Sequence, residues 1–459
     1  MIRALYNHRY TIIGLSILAS FAGGAAFTGF AQTSNASAPK AVFSADNPPT
    51  DDTYLSIGLF ERRDMTTLRI QAMLGDWKMR LLPRPVASGS EPILSEEVVE
   101  PIPEGEDITI LLTGKGITVN TSSGKELAEG YTRCDLDGGA TLLVETSNRP
   151  PIILAGPIGI TCHEKTLSFI HRVSLGRYLT SIVSDLTPSS EPEAIKAAVI
   201  AARSQVVRKL LENRHATDSF DLCDASHCAP FTGEAHAREL VALATKLTAN
   251  ELMVHAGKPI NARMQHTCGG KVSSMKDVFG IDDPNHVALD DKLDPKGSEN
   301  CFHSPAFNWI RDFTLGEIAD FLSMTYSAGT ERIFLRWEPA KVDAAGRITE
   351  ILLQGSRTKK LRGTVFLNDV YDYLGPNSIR SMKFTAEPMR RAIVYRGQGS
   401  GDGVGMCLYG ADGLARKGYD AYRILQFYYR NVEFRKNGVL IEVPPPISSG
   451  TPRQTGRQP

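Results

Sequence analysis

Three observations predict an α+β protein with a β-rich first lobe. Before residue 165, apolar and polar residues alternate, as in Leu68-Arg69-Ile70-Gln71-Ala72-Met73-Leu74 and Ile108-Thr109-Ile110-Leu111-Leu112, with Gly and Pro turns between. A period of two marks half-buried strands. Near residue 175 the period changes, and Ile195, Val199, Ala202, Val206 and Leu210 recur at helical spacing. The chain has 459 residues, more than one typical domain of about 100 to 200 residues, so two lobes can each bury a core. The expected layout is a β-rich lobe over 51–165 packed on a mixed α/β lobe over 166–443. A flexible lead-in at 32–50, rich in Ala, Ser, Asn and Pro, and a Pro-rich tail at 444–459 flank them.

In the first lobe the strands carry two of the seven cysteines, Cys134 and Cys162. The second lobe opens with a short apolar segment, Tyr178 to Val183, read as a helix that ends at Ser184-Asp185-Leu186-Thr187-Pro188. Ser190-Glu191-Pro192-Glu193 then reads as a capping-box start for the long helix. The junction between the two helices therefore presents an acidic side chain. Further helices are expected over 314–324 and 411–417.

Residues 1–31 have the character of an export signal. Arg3, His8 and Arg9 precede a nearly uncharged run from Tyr10 to Phe30, and Gly29-Phe30-Ala31 offers a small-x-small cleavage site. About 20 apolar residues can also span a bilayer, so an uncleaved anchor at residues 10–30 is the alternative, weakened by Gly23-Gly24-Ala25-Ala26. Either way the rest of the chain is expected outside the cytoplasm, in the periplasm or cell envelope. Fifty-one basic residues balance 51 acidic ones, which removes the electrostatic footprint of a nucleic-acid binder. A neutral polysaccharide remains compatible.

An exported chain favours disulfides over thiol chemistry. Sequence spacing groups Cys134 with Cys162, Cys223 with Cys228 and Cys268 with Cys301, leaving Cys407 over. Spacing alone does not fix connectivity. Cys223, His227 and Cys228 also offer soft and imidazole ligands of the kind zinc takes, although their spacing matches no standard finger. His266-Thr267-Cys268-Gly269-Gly270 suits a turn where backbone approaches a ligand closely. Trp309 could stack on a sugar but reads more simply as packing.

Leu175-Gly-Arg-Tyr178-Leu179 through Asp185-Leu186-Thr187-Pro188, then Glu193-Ala-Ile-Lys196 through Ala201-Ala202-Arg203-Ser204, resembles the core of the stage II sporulation protein D and amidase enhancer family. Cys223 to Cys228, His266 to Gly270, Ser304-Pro305 with Trp309, and Gly401-Asp402-Gly403-Val404-Gly405-Met406-Cys407 through Gly410-Ala411 continue the likeness in the family's order. It spans most of residues 165 to 435.

The resemblance implies a glycan cleft in the second lobe and a peptidoglycan-remodelling activity, a lytic transglycosylase that leaves 1,6-anhydro ends. One carboxylic acid would protonate the leaving oxygen and then take a proton from the C6 hydroxyl. The family's glutamate falls on Asp185 when the motif is anchored on Pro188 and Glu193, and on Leu186 when counted from Tyr178. Asp185 retains a carboxylate, though it reaches about 1.5 Å less far than glutamate; the bland alternative is that it caps a turn. Substrate contacts are implied for Arg203, His266, Gly269, Gly270, Asp402 and Gly403, with Asp402 standing where the family has histidine. The chemistry requires no cofactor; the family resemblance adds a structural zinc at Cys223, His227 and Cys228 as the rival of a disulfide. The expected partners are glycan strands and no nucleic acid. In the enhancer branch, a noncatalytic glycan binder would instead stimulate a cell-wall amidase.

Overall fold

The computed structural model describes residues 43–44, 48–60, 65–83, 98–138, 141–146, 149–163, 165–225, 227–327, 334–375 and 377–445. The expected signal or anchor at 1–31, most of the lead-in and nearly all of the tail lie outside them. Among the described residues no helix is long and apolar enough to cross a membrane.

The fold is mixed α and β with a β-rich N-terminal region. Two antiparallel sheets are built from residues 54–174. One contains, in spatial order, Tyr54–Leu59, Leu167–Ser174, Ile158–Cys162, Arg133–Gly138, Trp77–Leu82 and Val98–Ile102. The other runs Arg149–Leu154, Thr141–Thr146, Thr67–Leu74, Asp107–Thr113, Gly116–Thr121 and Glu126–Tyr131. Alternation works as expected along Thr67–Leu74. Leu68, Ile70 and Ala72 are buried, while Arg69 on the opposite face pairs with Asp107 and Glu145.

The strand Leu167–Ser174 passes directly into helix α1, Leu175–Leu186, where the Ser174 hydroxyl caps the Arg177 N–H. Helix α2, Pro192–Glu212, follows. Its start differs from the expected capping box. Glu191 occupies the cap with no side-chain bond, Pro192 supplies the pre-set φ of the first turn, and Glu193 turns outward to Lys196 and to the Ala421 N–H. The reason is local: the Ser189 hydroxyl, one residue earlier than Ser190, accepts the Glu191 N–H.

Helices α3 (Glu239–Leu247), α4 (Met275–Phe279), α5 (Leu315–Leu322), α6 (Gly363–Leu374), α7 (Leu408–Arg416) and α8 (Ala421–Tyr428) complete the set among the described residues. α5 carries the genuine capping box, with Thr314 and Glu317 satisfying each other's backbone.

One apolar core runs without a break from Leu55 through α1 and α2 to Phe434, so the two expected lobes share it. A separate core is formed by Trp309, Phe321, Ile351, Phe366, Tyr395 and their neighbours. That second body enters through Asn308–Thr314 and leaves through Ala392–Gln398, which pair antiparallel along their whole length. Its ends therefore lie side by side, the arrangement that lets a domain be inserted into another. Trp309 belongs to this core, its indole N–H donating to Gly399 O at 2.8 Å.

No disulfide joins the seven cysteines in this structure, although Cys223 lies with Cys228 and Cys268 with Cys301, as their spacing grouped them. Strand register sets Cys134 opposite Ile160 and Cys162 opposite Leu167. The remaining five gather into two clusters with other ligand types, and Cys407, expected to be left over, joins one of them.

Candidate functional site

The chain leaving α2 turns at Asn213, which adopts the left-handed conformation, φ 45°. It then reaches the edge of the first sheet. Leu222–Cys223 adds there as a parallel strand beside Ile57 and Gly58. Asp221 accepts the Ser56 N–H and Asp224 the Phe60 N–H. Phe220 covers Gly58 so closely that a Cβ there would stand 2.7 Å from the ring. The β-rich region thus fixes the loop that holds the first group of metal-binding side chains.

In that group are His215, Cys223, His227 and Cys228. His215 Nε2 lies 3.2 Å from Cys228 Sγ and 3.2 Å from His227 Nε2, and His227 Nε2 lies 3.1 Å from Cys223 Sγ. Around a tetrahedral zinc, bond lengths of about 2.0–2.1 Å to nitrogen and about 2.3 Å to sulfur set nitrogen pairs about 3.3 Å apart and nitrogen–sulfur pairs about 3.6 Å apart. These distances are up to a few tenths of an ångström short of that set, so with a small outward adjustment the four side chains could hold the ion. His215 Nδ1 sits 2.7 Å from the Asp218 carboxylate, the support that orients a ligating imidazole. The hydrogen bond from Cys223, with help from nearby Lys209 and Arg214, lowers the Cys228 thiol to about 7. A disulfide between the cysteines would leave both imidazoles without a role. Sequence reasoning placed Cys223, His227 and Cys228 here and missed His215, whose signal was a histidine one turn beyond the long helix.

The same loop continues onto α1. Phe231 is buried between His171 and Tyr178, with ring centroids 6.0 and 5.5 Å away. Phe231 acts here as an apolar anchor for the loop. Next, the Thr232 hydroxyl donates to Asp185 Oδ2, and His236 Nδ1 stands 3.3 Å from Asp185 Oδ1. Asp185 lies in the last turn of α1 with 27% of its side chain exposed. Arg238 closes the junction, donating to Thr187 O and Ser189 O at 2.7 and 2.6 Å. Leu186, the other register choice, is an exposed apolar side chain without proton-transfer chemistry.

Four residues beyond Asp185, the Ser189 hydroxyl donates to buried Asp412 of α7 at 2.5 Å. The other Asp412 oxygen receives Arg416 at 2.7 Å and lies 2.8 Å from His303 Nε2. His303 meets the edge of Tyr409, and Tyr409 meets His266, with centroids 5.4 and 5.0 Å apart. Burial, reinforced by Arg380, lowers the His266 pKa, so the ring is neutral at pH 7. Asp412 and His303 were not anticipated. Their signal was helical: Asp412 and Arg416 are one turn apart on the helix that follows the glycine run.

The glycine run itself packs against protein. Asp402 is engaged by Arg263 at 2.5 Å and accepts the Val404 N–H at 2.9 Å. At Gly403, φ 93°, a Cβ would stand 2.0 Å from Nε of buried Arg347. At Gly269, φ 67°, a Cβ would stand 2.9 Å from Gln398 and Gly399, and the next residue, Gly270, also has positive φ, 91°. Arg203 does not face a ligand. It is fully buried, bonds both oxygens of Asp51 at 2.7 and 2.8 Å, and points its remaining donors at Thr245 O, Thr248 Oγ1 and Glu251 O. The expected substrate contact at Arg203 is therefore corrected to a tie between α2 and the start of the β-rich region. The structure brings Asp185 together with Thr232 and His236, while His266 and Asp402 sit on the neighbouring strands that join residues 264–267 to 400–407.

Residues 163–255, which span α1, α2, the His215–Cys228 group and α3, match the model of the stage II sporulation protein family. An uncharacterized protein of Brachyspira hyodysenteriae is 26% identical over 59% of this chain and 69% of its own length. The stage II sporulation protein D of Bacillus amyloliquefaciens is 23% identical over 70% of this chain and 87% of its own. That of Bacillus subtilis is 22% identical over 61% and 79%. The matched segment supplies both the Asp185 junction and the His/Cys loop, and these likenesses support the stage II sporulation protein D family for that part of the chain.

Proposed function

We propose that this protein works on the cell wall outside the cytoplasm, binding peptidoglycan glycan strands and cleaving them as a lytic transglycosylase. The observation that carries the reading is the setting of Asp185: a partly exposed carboxylate at the end of α1, within the family segment, with Thr232 on one oxygen and His236 facing the other. The carboxylic acid gives its proton to the glycosidic oxygen as that bond breaks. The resulting carboxylate removes the C6 hydroxyl proton as O6 closes on C1, so the 1,6-anhydro ring forms and the acid is regenerated. Thr232 fixes one oxygen, and the other, beside the exposed His236 ring, is the one that makes both transfers. A structural zinc on His215, Cys223, His227 and Cys228 fits this reading. It takes no part in a step and holds the loop that delivers Thr232.

One observation favours a second reading, a noncatalytic glycan binder that stimulates a cell-wall amidase. Asp402 is neutralised by Arg263, and aspartate at 185 is a methylene short of the family's glutamate, a displacement that can cost on the order of a hundredfold in rate. The two separate when purified full-length protein is incubated with peptide-free glycan strands and products are read by mass spectrometry, comparing wild type with Asp185→Ala and Asp185→Glu. Anhydro ends from wild type that are lost in Asp185→Ala support the enzyme, and the direction in which Asp185→Glu changes the rate shows whether the site is set for aspartate or for glutamate. Strands bound and never cut by wild type sink it in favour of the binder.

A further inference from the structure

We propose that Cys268, Cys301, Cys407 and Asp291 form a second metal site, of the thiolate-rich kind that takes zinc, independent of the His215 group. Three segments converge to make it. Met264–Gln265 pairs in parallel with Met406–Cys407, which brings the turn containing Cys268 against the start of α7, where Cys407 is the cap residue. The chain after α4 returns past Gly270, where the Asp291 N–H donates to Gly270 O. It then folds back so that the Asn300 N–H donates to Asp291 O, which brings Cys301 alongside.

All four residues are fully buried, and one ligand atom from each lies within 4.8 Å of all the others. Cys268 Sγ is 3.6 Å from Cys301 Sγ and 3.1 Å from Asp291 Oδ2. Tetrahedral zinc with bonds of about 2.3 Å to sulfur and about 2.0–2.2 Å to oxygen sets sulfur pairs about 3.8 Å apart and sulfur–oxygen pairs about 3.5 Å apart. Both pairs stand a few tenths of an ångström closer than that figure, so a small outward adjustment would seat the ion.

Charge points the same way. A carboxylate without access to water is costly unless a cation or hydrogen bonds compensate it. Asp291 receives the Tyr428 hydroxyl at 2.6 Å and the Asn300 amide at 3.3 Å, and among the described residues no Lys, Arg or His forms an ion pair with it. The cations around the pocket donate to other groups, Lys417 to Asn300 Oδ1, Arg347 to Cys268 O and Lys383 to Gly269 O, and none of them to Asp291. A divalent ion is the compact cation that the pocket lacks. On binding, the protons of the three thiols and any proton on the carboxyl are released to solvent. The anionic complex is then met by the Cys268 and Gly410 N–H groups, each 3.3 Å from Cys407 Sγ. Substitution shows how closely the pocket is filled, since a Cβ on Gly410 would stand 2.6 Å from an Asp291 oxygen. Loaded, the site ties the turn after His266 to the start of α7, from which Tyr409 and Asp412 project.

Zinc content measured by mass spectrometry on the full-length protein tests this. Cys223→Ser with Cys228→Ser removes the first group only, so the expected result is two ions per chain in wild type and one in that variant, matching the two clusters. Asp291→Asn, which keeps the volume and the Tyr428 contact, should weaken retention of that remaining ion against a chelator at least tenfold. Cobalt loaded into the Cys223→Ser/Cys228→Ser protein should show thiolate charge-transfer absorption. A variant without any ion overturns the proposal. So does an intact mass lower by two hydrogens with a Cys268–Cys301 crosslinked peptide, because a disulfide would then occupy the pocket. The first-group variant leaves the second cluster intact, so these readouts do not depend on a damaged pocket folding.

Discussion

Replacing Asp51 with Ala strips the Arg203 guanidinium of its only carboxylate while leaving the Asp51 backbone contacts to Gly176 and Asn250 in place. Arg203 is 1% exposed and Asp51 13%. Breaking one side of a buried pair costs about 3–5 kcal/mol, because the abandoned charge has lost its water without a partner. Three weaker acceptors, at 3.3 to 3.4 Å, remain to Arg203, and Asp51 keeps some exposure, so the lower end applies, about 3 kcal/mol. That corresponds to roughly a hundredfold in the folding equilibrium. Urea unfolding followed by far-UV circular dichroism at neutral pH gives the loss. Asp51→Leu with Arg203→Met removes both charges and should recover most of it. Glycan affinity per folded molecule should stay unchanged in Asp51→Ala. A loss below about 1 kcal/mol would mean the pair is not the buried tie described, and a stable variant with weakened glycan binding would return Arg203 to the substrate.

Two further outcomes are expected. Asp218→Asn should lower zinc affinity of the His215 group about 10- to 100-fold by removing the partner of His215 Nδ1, as read by chelator competition; unchanged affinity would count against that partner's role. His171, fully buried, is lowered from 6.5 to about 3 by burial, with Arg177 adding to it. The unfolded chain therefore takes up a proton that the folded one refuses, and stability held above pH 6.5 is lost as pH falls toward 3. His171→Phe, which keeps a ring against Phe231, should flatten that acid limb in denaturation midpoints measured from pH 7 to 4, and an unaltered limb would exclude His171 as its source.

Much of this was legible because it depends on neighbours in sequence. Period-two alternation foretold Thr67–Leu74 and Asp107–Thr113, and the helical spacing after Ile195 foretold α2. The cap of α2 was misread by one residue, since Ser189 and Ser190 carry the same chemistry and only the fold selects which reaches the Glu191 N–H. Cysteine grouping by proximity in sequence brought Cys223 to Cys228 and Cys268 to Cys301 but missed Cys407 for a different reason. A ligand cluster is assembled by strand pairing, and the parallel pair of residues 264–265 with 406–407 brings together Cys268 and Cys407, which are 139 positions apart. The inserted second core was likewise hidden, because the helix and strand periods inside it look like those outside; what defines it is that its first and last strands pair.

The position of Asp185 is the consequence of a chain of supports that starts in the β-rich region. The edge strand Tyr54–Leu59 receives Leu222–Cys223 and so fixes one end of the His/Cys loop. The His215 group, formed at the turn out of α2, fixes Cys228 relative to that helix. Only three residues separate Cys228 from Thr232, and Phe231 is pinned between two rings, so the Thr232 hydroxyl has little freedom in where it meets Asp185. α1, the third support, grows directly from the strand paired with Tyr54–Leu59. Asp185 and the group that orients it are thus both referred to the same strand, from opposite sides. A shorter carboxylate can serve where glutamate is usual only if such a frame holds it at the right depth, which is why Asp185→Glu is as informative as Asp185→Ala. If the frame is set for aspartate, the added methylene will overshoot and slow cleavage; if it is inherited from a glutamate site, the same change will speed it.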